Sequence, residues 1–502
     1  MRARIIDNDW VMIDQVTLGI EPALVDHFSV KHPRSYFIDT SQQGWDGYYR
    51  KYDVKRQRIA RPLLHELEDL CKAKDFPLVV EDQRLTVGLP DPTTVKPDYL
   101  PGITLEQYQI ESIQKAVTDE VGIYALQTGG GKTEVMAGIA KLFGCLTVII
   151  AEQRVVIEQI KERLMLRDLF DVGLFYGGEM PNGQKIVVGS IQSLATPPIS
   201  YKEHNPAAYA KRLEHARKFQ EIVKKAELLM VDECDRATNA NYRYLFKNWF
   251  HGRRKYGFSA TPFDTKKPVE NLILKEHMGS VIYQTDRRVL EQLGRIIPIK
   301  YFMMAMGEDG DKDDKTAFDI AEREQMIDNP MFHLKVKRIV DAFPSDGTLI
   351  LVDTGNVEDL GRALEAAIPG SVFIYGKTSK VKRNKALRAF EKREIKCLIG
   401  GKILKRGLDL KGGVSNLIIC GGGHLWSDYE QKIGRALRKN EKGWARVFSF
   451  LFLNNYYLYK HGRSQLKAVV EMGYETQVIF KDQKVDGAAL VQARFRKPKL
   501  KK

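Results

Sequence analysis

Five short apolar runs punctuate residues 103–283: VGIYAL (121–126), LTVIIA (146–151), KIVVGS (185–190), LLMVDE (228–233) and KYGFSAT (255–261). Amphipathic stretches of helical length lie between them, such as HNPAAYAKRLEHARKFQEIVKKAE (204–227) with its charges on one face. Apolar runs alternating with such stretches predict a parallel sheet covered by helices on both faces. A second series starts near Ile297, with GTLILVDT (347–354), SVFIYG (371–376), KCLIGG (396–401), NLIICGG (416–422) and RVFSFLF (446–452) as its strands. Before the first series comes a mixed, aromatic and basic block. It ends in VVEDQRLTVGLPDPTTVKPDYLPG (79–102), whose four prolines and two glycines read as a boundary. The predicted organisation is a small N-terminal α+β domain (1–97), two tandem parallel-sheet α/β domains (98–290 and 291–485), and a tail (486–502). Residues 494–502 carry six basic side chains and no acid, as a solvated, disordered end would.

Composition narrows the class. The chain has 502 residues, 43% hydrophobic and 28% charged, which suits a soluble protein with real cores. Lys and Arg number 79 against 64 Asp and Glu, a net charge of +15. That favours polyanionic partners, nucleic acid first and an anionic membrane surface second. The five cysteines are scattered with no C-x-x-C spacing, and indicate neither a disulfide framework nor a zinc site. No apolar run is long enough to span a bilayer. The opening MRARIIDNDWVMID has acids where a signal peptide needs an apolar core. The expected setting is the cytoplasm (the host's, if the chain is phage-encoded), with no membrane partner.

The chemistry concentrates in LQTGGGKTEV (126–135). A loop between a strand and a helix presents free backbone N–H groups at the helix's positive end. Gly129, Gly130 and Gly131, with Thr128 before them, let the backbone approach phosphate oxygens. Lys132 supplies a point charge to the β- and γ-phosphates, and Thr133 a hydroxyl to Mg²⁺. The strict phosphate-loop pattern has Gly where Leu126 stands. A Mg-ATP site also needs acids, and LLMVDECD ends an apolar run in Asp232 and Glu233. Asp232 would hold the metal through water, and Glu233 would orient or deprotonate the attacking water. Either half alone is ordinary, as a glycine-rich turn or as acids capping a strand. The two together in this order point to an NTPase.

These residues resemble those of superfamily 2 helicases. DECD is similar to the DEAD/DEAH box, YGFSATP (256–262) to motif III, and EQYQIESI, through Tyr108 and Gln109, to the glutamine motif that reads adenine. YEQKIGRALRK matches QxxGRxxR through Gln431, Gly434, Arg435 and Arg438. The resemblance implies two tandem RecA-like domains with ATP in the cleft between them. It also implies that Arg435 and Arg438 stabilise the transferring phosphoryl group beside Gln431, a role suited to their fork geometry. A solvated basic helix face is the plainer alternative for the arginines. Arg406, Gly407 and Asp409 match the end of the fifth motif, with Asp409 placed to meet the ribose or couple the two sites. The stretches matching the family's nucleic-acid loops assign Arg154, Gly177, Gly178, Ser190, Gln192, Thr354 and Lys405 to phosphate contacts, which position a strand without reading its sequence. The family often has Pro-Thr where Ala151-Glu152 stands, and Thr where Gly401 stands.

The N-terminal block adds GWDGYYRKYDVKRQRIARPLLHEL (44–67), which resembles the accessory domain of phage UvsW-type branch-migration helicases. From Arg50 to Arg61 it carries six basic residues and one acid. Arg50, Lys51, Arg56 and Arg58 are candidates to touch duplex DNA. Trp45 and two of the tyrosines are expected in a small core, and Asp46-Gly47 in a hairpin turn. The expected activity is an ATP- and Mg²⁺-dependent DNA helicase or translocase. It would act on forks, junctions and single-/double-strand boundaries in recombination, repair or replication, with single-strand-binding or recombination proteins as possible partners. The alternatives are an RNA helicase of the same superfamily and an ATP-switched DNA-binding or annealing protein that separates no strands.

Overall fold

The computed structural model describes residues 1–17, 19–33, 35, 45–127, 129–196, 205–307, 314–401, 414–421, 433–434, 440, 442–480 and 483–492. They fall into two compact units. The first joins Met1–Gln127 with Gly131–Thr285, and the second joins Thr128–Gly130 with Asp286–Lys502. The architecture is that of two tandem RecA-like parallel-sheet domains preceded by a mixed-sheet N-terminal block.

In the N-terminal block, β1 (Arg2–Ile5) and β2 (Trp10–Asp14) pair antiparallel. A two-stranded ribbon of β3 (Ser29–Lys31) and β4 (Tyr48–Arg50) stands apart. The strands β5 (Tyr52–Asp53), β6 (Arg58–Ala60) and β7 (Val79–Asp82) complete the main sheet, in the order β5-β6-β2-β1-β7. Period-two alternation turns Ala3, Ile5, Val11 and Ile13 inward, onto Leu67, Leu70 and Cys71 of the helix Leu64–Ala73. Three sequence expectations are corrected here. Val79–Asp82, read as the start of a linker, pairs in parallel with β1. Asp46-Gly47 does not form a two-residue hairpin turn: β3 and β4 pair Lys31 with Tyr48, so the connection is residues 32–47 and Asp46-Gly47 only ends it. Among the aromatics of residues 45–67, Tyr52 enters the core, beside Phe28, whereas Trp45 stays partly exposed, its indole N–H donating to the Tyr48 carbonyl at 2.9 Å.

The first α/β sheet has strands β8 (Val121–Ala125), β9 (Thr147–Ala151), β10 (Val172–Phe175), β11 (Ile186–Ser190), β12 (Leu228–Asp232), β13 (Arg254–Ser259) and β14 (Val281–Gln284). All are parallel, in the order β10-β11-β9-β12-β13-β8-β14. The second unit's sheet has β15 (Ile299–Met306), β16 (Thr348–Asp353), β17 (Ser371–Ile374), β18 (Cys397–Gly400), β19 (Asn416–Gly421), β20 (Ala445–Phe452), β21 (Glu475–Phe480) and β22 (Gln483–Asp486). It runs β17-β18-β16-β19-β20-β15-β21-β22, parallel except for the last pair. All ten apolar runs recognised in the sequence are strands. The strands β10, β14, β15, β21 and β22 add to those ten. Among the described residues, no helix is long and apolar enough to cross a membrane.

Within the first unit the N-terminal block is fastened to the α/β sheet by charge. Lys51 pairs with Glu276 at 2.6 Å, and Asp9 with His251 at 2.7 Å. Glu66 lies 2.8 Å from Lys275 and accepts the Ser280 hydroxyl at 2.8 Å, with His27 at 3.5 Å. The His27 hydrogen bond, acting against burial and helped by Lys275 and Ser280, holds the Glu66 carboxyl down at about 2. A carboxyl depressed in the fold contributes stability that is present above its unfolded range near 4.5 and lost as pH falls towards 2. Thermal unfolding at pH 5 and pH 3 should therefore show a steeper acid loss for the native chain than for Glu66→Gln, by on the order of 2 kcal/mol.

Candidate active site

Parallel strands deliver their carboxyl ends to one edge of a sheet, the usual place for a ligand in an open α/β fold. Here β8, β13 and β12 are neighbours, and Tyr124, Phe258 and Asp232 lie abreast in register. Leu126 is fully buried in the core beneath that edge. Its side chain ends the strand, and the backbone freedom the loop needs falls later, at Gly129 (φ +87°) and Gly131 (φ +74°). Gly131 caps the helix Lys132–Phe143. A Cβ on Gly131 would stand 2.3 Å from the Gln109 Nε2. Gln109, expected to read adenine, is buried against the loop beside buried Tyr108, and its Oε1 accepts the Glu106 backbone N–H at 3.0 Å. Gln109 thus caps its own helix while its amide nitrogen faces the phosphate loop.

The Lys132 Nζ lies 3.0 Å from the Glu233 Oε1. Burial alone would lower the Lys132 ammonium, but the carboxylates of Glu233, Asp232 and Asp235 outweigh it and hold it above the usual lysine range. Burial raises the Asp232 carboxyl, with Lys132 opposing, and burial together with the Glu233 charge raises Asp235. Glu233 sits at φ +50°, ψ +52°, a left-handed backbone that a residue with a Cβ adopts at a cost. That kink ends β12 and opens the tight turn Cys234–Arg236. Cys234 is fully buried, and a Cβ on Gly257 of neighbouring β13 would stand 2.7 Å from its Sγ.

Asp235 and Arg236, given no role from the sequence, complete the arrangement. The Ser259 hydroxyl donates to the Asp235 Oδ1 at 3.0 Å, tying the end of β13 to the acidic box. Arg236 bonds the Glu152 Oε2 at 3.2 Å. Glu152 therefore does not present a lone negative charge to phosphate, which answers the departure from Pro-Thr. The signal was Arg236 itself, the residue that follows DECD. As for Mg²⁺, the Thr133 hydroxyl and Asp232 carboxylate are hard oxygen donors, and so few fit an ion that keeps several waters and is shared with phosphates. Among the described residues, no group of three or more His, Cys, Asp or Glu is placed to hold a metal.

Five of the expected nucleic-acid positions, in three loops, lie along the same edge. Arg154 opens a helix after β9, bonds Glu158 at 3.0 Å and stands 5.2 Å over the Tyr176 ring. Gly177 and Gly178 follow Tyr176 with φ of +60° and +99° and nothing within 4 Å of an added Cβ. Ser190 ends β11 and caps a short helix through the Ser193 N–H at 3.1 Å, leaving Gln192 exposed. In the second unit, Thr354 follows β16 and is buried with its Oγ1 unpartnered among the described residues. Gly401 is explained by packing, since a Cβ there would stand 2.4 Å from the Val357 Cγ1. In the N-terminal block, Arg50 bonds Asp46 at 2.8 Å, Arg56 lies 3.3 Å from Asp53, and Arg58 lies 3.6 Å from Asp53 with its guanidinium 3.7 Å over the Trp10 ring. With Lys51 on Glu276, all four basic candidates have internal partners, and Arg56 keeps the greatest exposure, 69%. Thr128, Lys405, Gly407, Asp409, Gln431, Arg435 and Arg438 lie outside the described residues.

Residues 102–264 match the family Type III restriction enzyme, res subunit, and residues 335–440 match the helicase conserved C-terminal domain. The chain is a helicase of superfamily 2. Its domains are those of enzymes that use ATP to unwind nucleic acid. This helicase is 23% identical to the DNA 3'-5' translocase XPB2 of Sulfurisphaera tokodaii over 68% of its own length and 80% of that protein. It is 20% identical to the human ATP-dependent RNA helicase DDX42 over 67% of its length, but spans only 34% of DDX42. The crystal structure of bacteriophage T4 UvsW aligns with 95% of this chain and 98% of that one, at 16% identity and a TM-score of 0.44.

A helicase with this loop should lose nucleotide affinity in Gly131→Ala. The substitution adds a left-handed penalty of about 1–2 kcal/mol and a clash with Gln109, so a titration with labelled nucleotide should show weakening of roughly tenfold or more.

Proposed function

We propose that this helicase is an ATP- and Mg²⁺-dependent DNA translocase that moves branch points, regressing forks and migrating four-way junctions. The observation that carries the hydrolytic part is the Lys132–Glu233 pair at 3.0 Å, with Asp232 beside it. Without nucleotide the ammonium holds the Glu233 carboxylate. Arriving phosphates draw Lys132 onto their oxygens, and Glu233 is released to orient or deprotonate the attacking water. Thr133 and Asp232 are the groups proposed to hold Mg²⁺, which shields the phosphate charge. The backbone N–H groups of residues 129–131 receive the phosphates, and Ser259, through Asp235, reports the state of the box to β13. The roles proposed for Thr128, Gln431, Arg435, Arg438, Gly407 and Asp409 rest on motif resemblance.

DNA as the track is favoured by XPB2, a DNA translocase by name, matched over most of its length. The N-terminal block's likeness to the accessory domain of branch-migration helicases supports branched DNA. Arg154, Gly177, Gly178, Ser190, Gln192, Thr354 and Lys405 are the proposed phosphate contacts, with Arg50 and Arg56 as added basic surface. The match to DDX42 favours a second reading, an RNA helicase.

Two experiments check this. Lys132→Ala and Glu233→Gln should each lower ATP turnover by at least about a hundredfold while DNA binding persists, since Lys132 acts on the transferring phosphoryl group and Glu233 on the water that attacks it; normal turnover in either would displace the site. A panel of synthetic forks, Holliday junctions and tailed duplexes, in DNA and RNA, should show branched DNA resolved fastest with ATP. Stimulation by RNA alone would move the assignment to the second reading.

A further inference from the structure

Glu120 is the residue immediately before β8, at the end of the strand opposite the phosphate loop. Three guanidiniums converge on its carboxylate. Arg61 and Arg84 come from the N-terminal block, Arg84 at 2.7 Å, and Arg253 comes from the residue before β13. All four side chains are largely buried, at 9% (Arg61), 7% (Arg84), 19% (Arg253) and 12% (Glu120) exposure. Arg84 is braced in turn by Asp82 at 2.6 Å, and the Arg253 Nη1 donates to the Leu85 carbonyl at 2.9 Å. The backbone repeats the tie, because the Lys255 N–H donates to the Glu120 carbonyl at 2.9 Å. One carboxylate therefore pins together the bases of β8 and β13 and fastens both to the N-terminal block.

Those two strands lead to the working edge. β8 runs five residues, about 17 Å at the usual rise, into the loop that carries Lys132. β13 runs to Ser259, which bonds the acidic box. A strand this short, paired on both sides, transmits a shift at its base to its tip.

We propose that Glu120 is a positioning residue for ATP hydrolysis. Through Arg61, Arg84 and Arg253 it fixes the register of the lysine-bearing and Ser259-bearing strands and links that register to the N-terminal block. The role rests on the placement of the hydrolytic site at Lys132 and Glu233. Small displacements of a reacting group weaken the transition state more than the bound ground state, so the effect falls on kcat.

The test uses the full chain, with ATP hydrolysis measured with and without nucleic acid and folding followed by circular dichroism melts. Glu120→Gln keeps the shape and removes the charge, and should lower kcat about tenfold with KM for ATP changed less than about twofold. Glu120→Asp, which restores the charge, should recover part of that loss. If Glu120→Gln does not fold, Arg84→Gln removes one of the two contacts from the N-terminal block, leaving that of Arg61, and should lower kcat about threefold with KM unmoved. A folded variant with unaltered kcat overturns the proposal, as does a lowered melting temperature with both constants unchanged. Normal turnover in Lys132→Ala would instead overturn the placement of the site itself, which separates the two failures.

Discussion

Lys132 and Glu233 follow strands that do not touch, because β13 lies between β8 and β12. Their 3.0 Å contact exists only because both pairings are parallel and in register, so that Tyr124, Phe258 and Asp232 stand side by side. A slip of one residue in either pairing would carry the loop or the box about 3.3 Å along and turn its side chains to the opposite face. The apolar fill of β8, β12 and β13 against helices on both faces holds that register. The charged pair at the edge depends on a neutral core a few residues below it.

The same constraint clarifies where this helicase departs from its family's patterns. A loop's first glycine is dispensable where the strand end is buried, and Leu126 fills that place while Gly129 and Gly131 take the left-handed positions. A carboxylate at position 152 is harmless once Arg236 bonds it. A glycine at 401 is required because Val357 occupies the space a larger residue would need. Each departure is answered by another residue of the chain.

The layered fold and the phosphate loop with its acidic box were legible in the sequence, because each is a local signal: a buried run of strand length, a glycine cluster before a helix, paired acids after a strand. What stayed hidden is relational. β14 is half-exposed and ends in Gln284, and β15 sets Lys300 among its apolar positions, so neither reads as a bounded run. Arg50, Lys51, Arg56 and Arg58 read as free cations, yet every one has an internal partner, and that of Lys51 lies on a helix more than two hundred residues away. Trp45 illustrates the limit from the other side. Its size suggests a core, but the fold gives that place to Tyr52.

The contact between Cys234 and Gly257 bears on how such a box diverges. The third letter of DECD points into the sheet, where the neighbouring strand has given up its own side chain to make room. Its side chain fills a volume shared across two strands. A bulkier side chain at position 234 would have no space to enter. The spelling of the motif at that letter records the thickness of the layer beneath it.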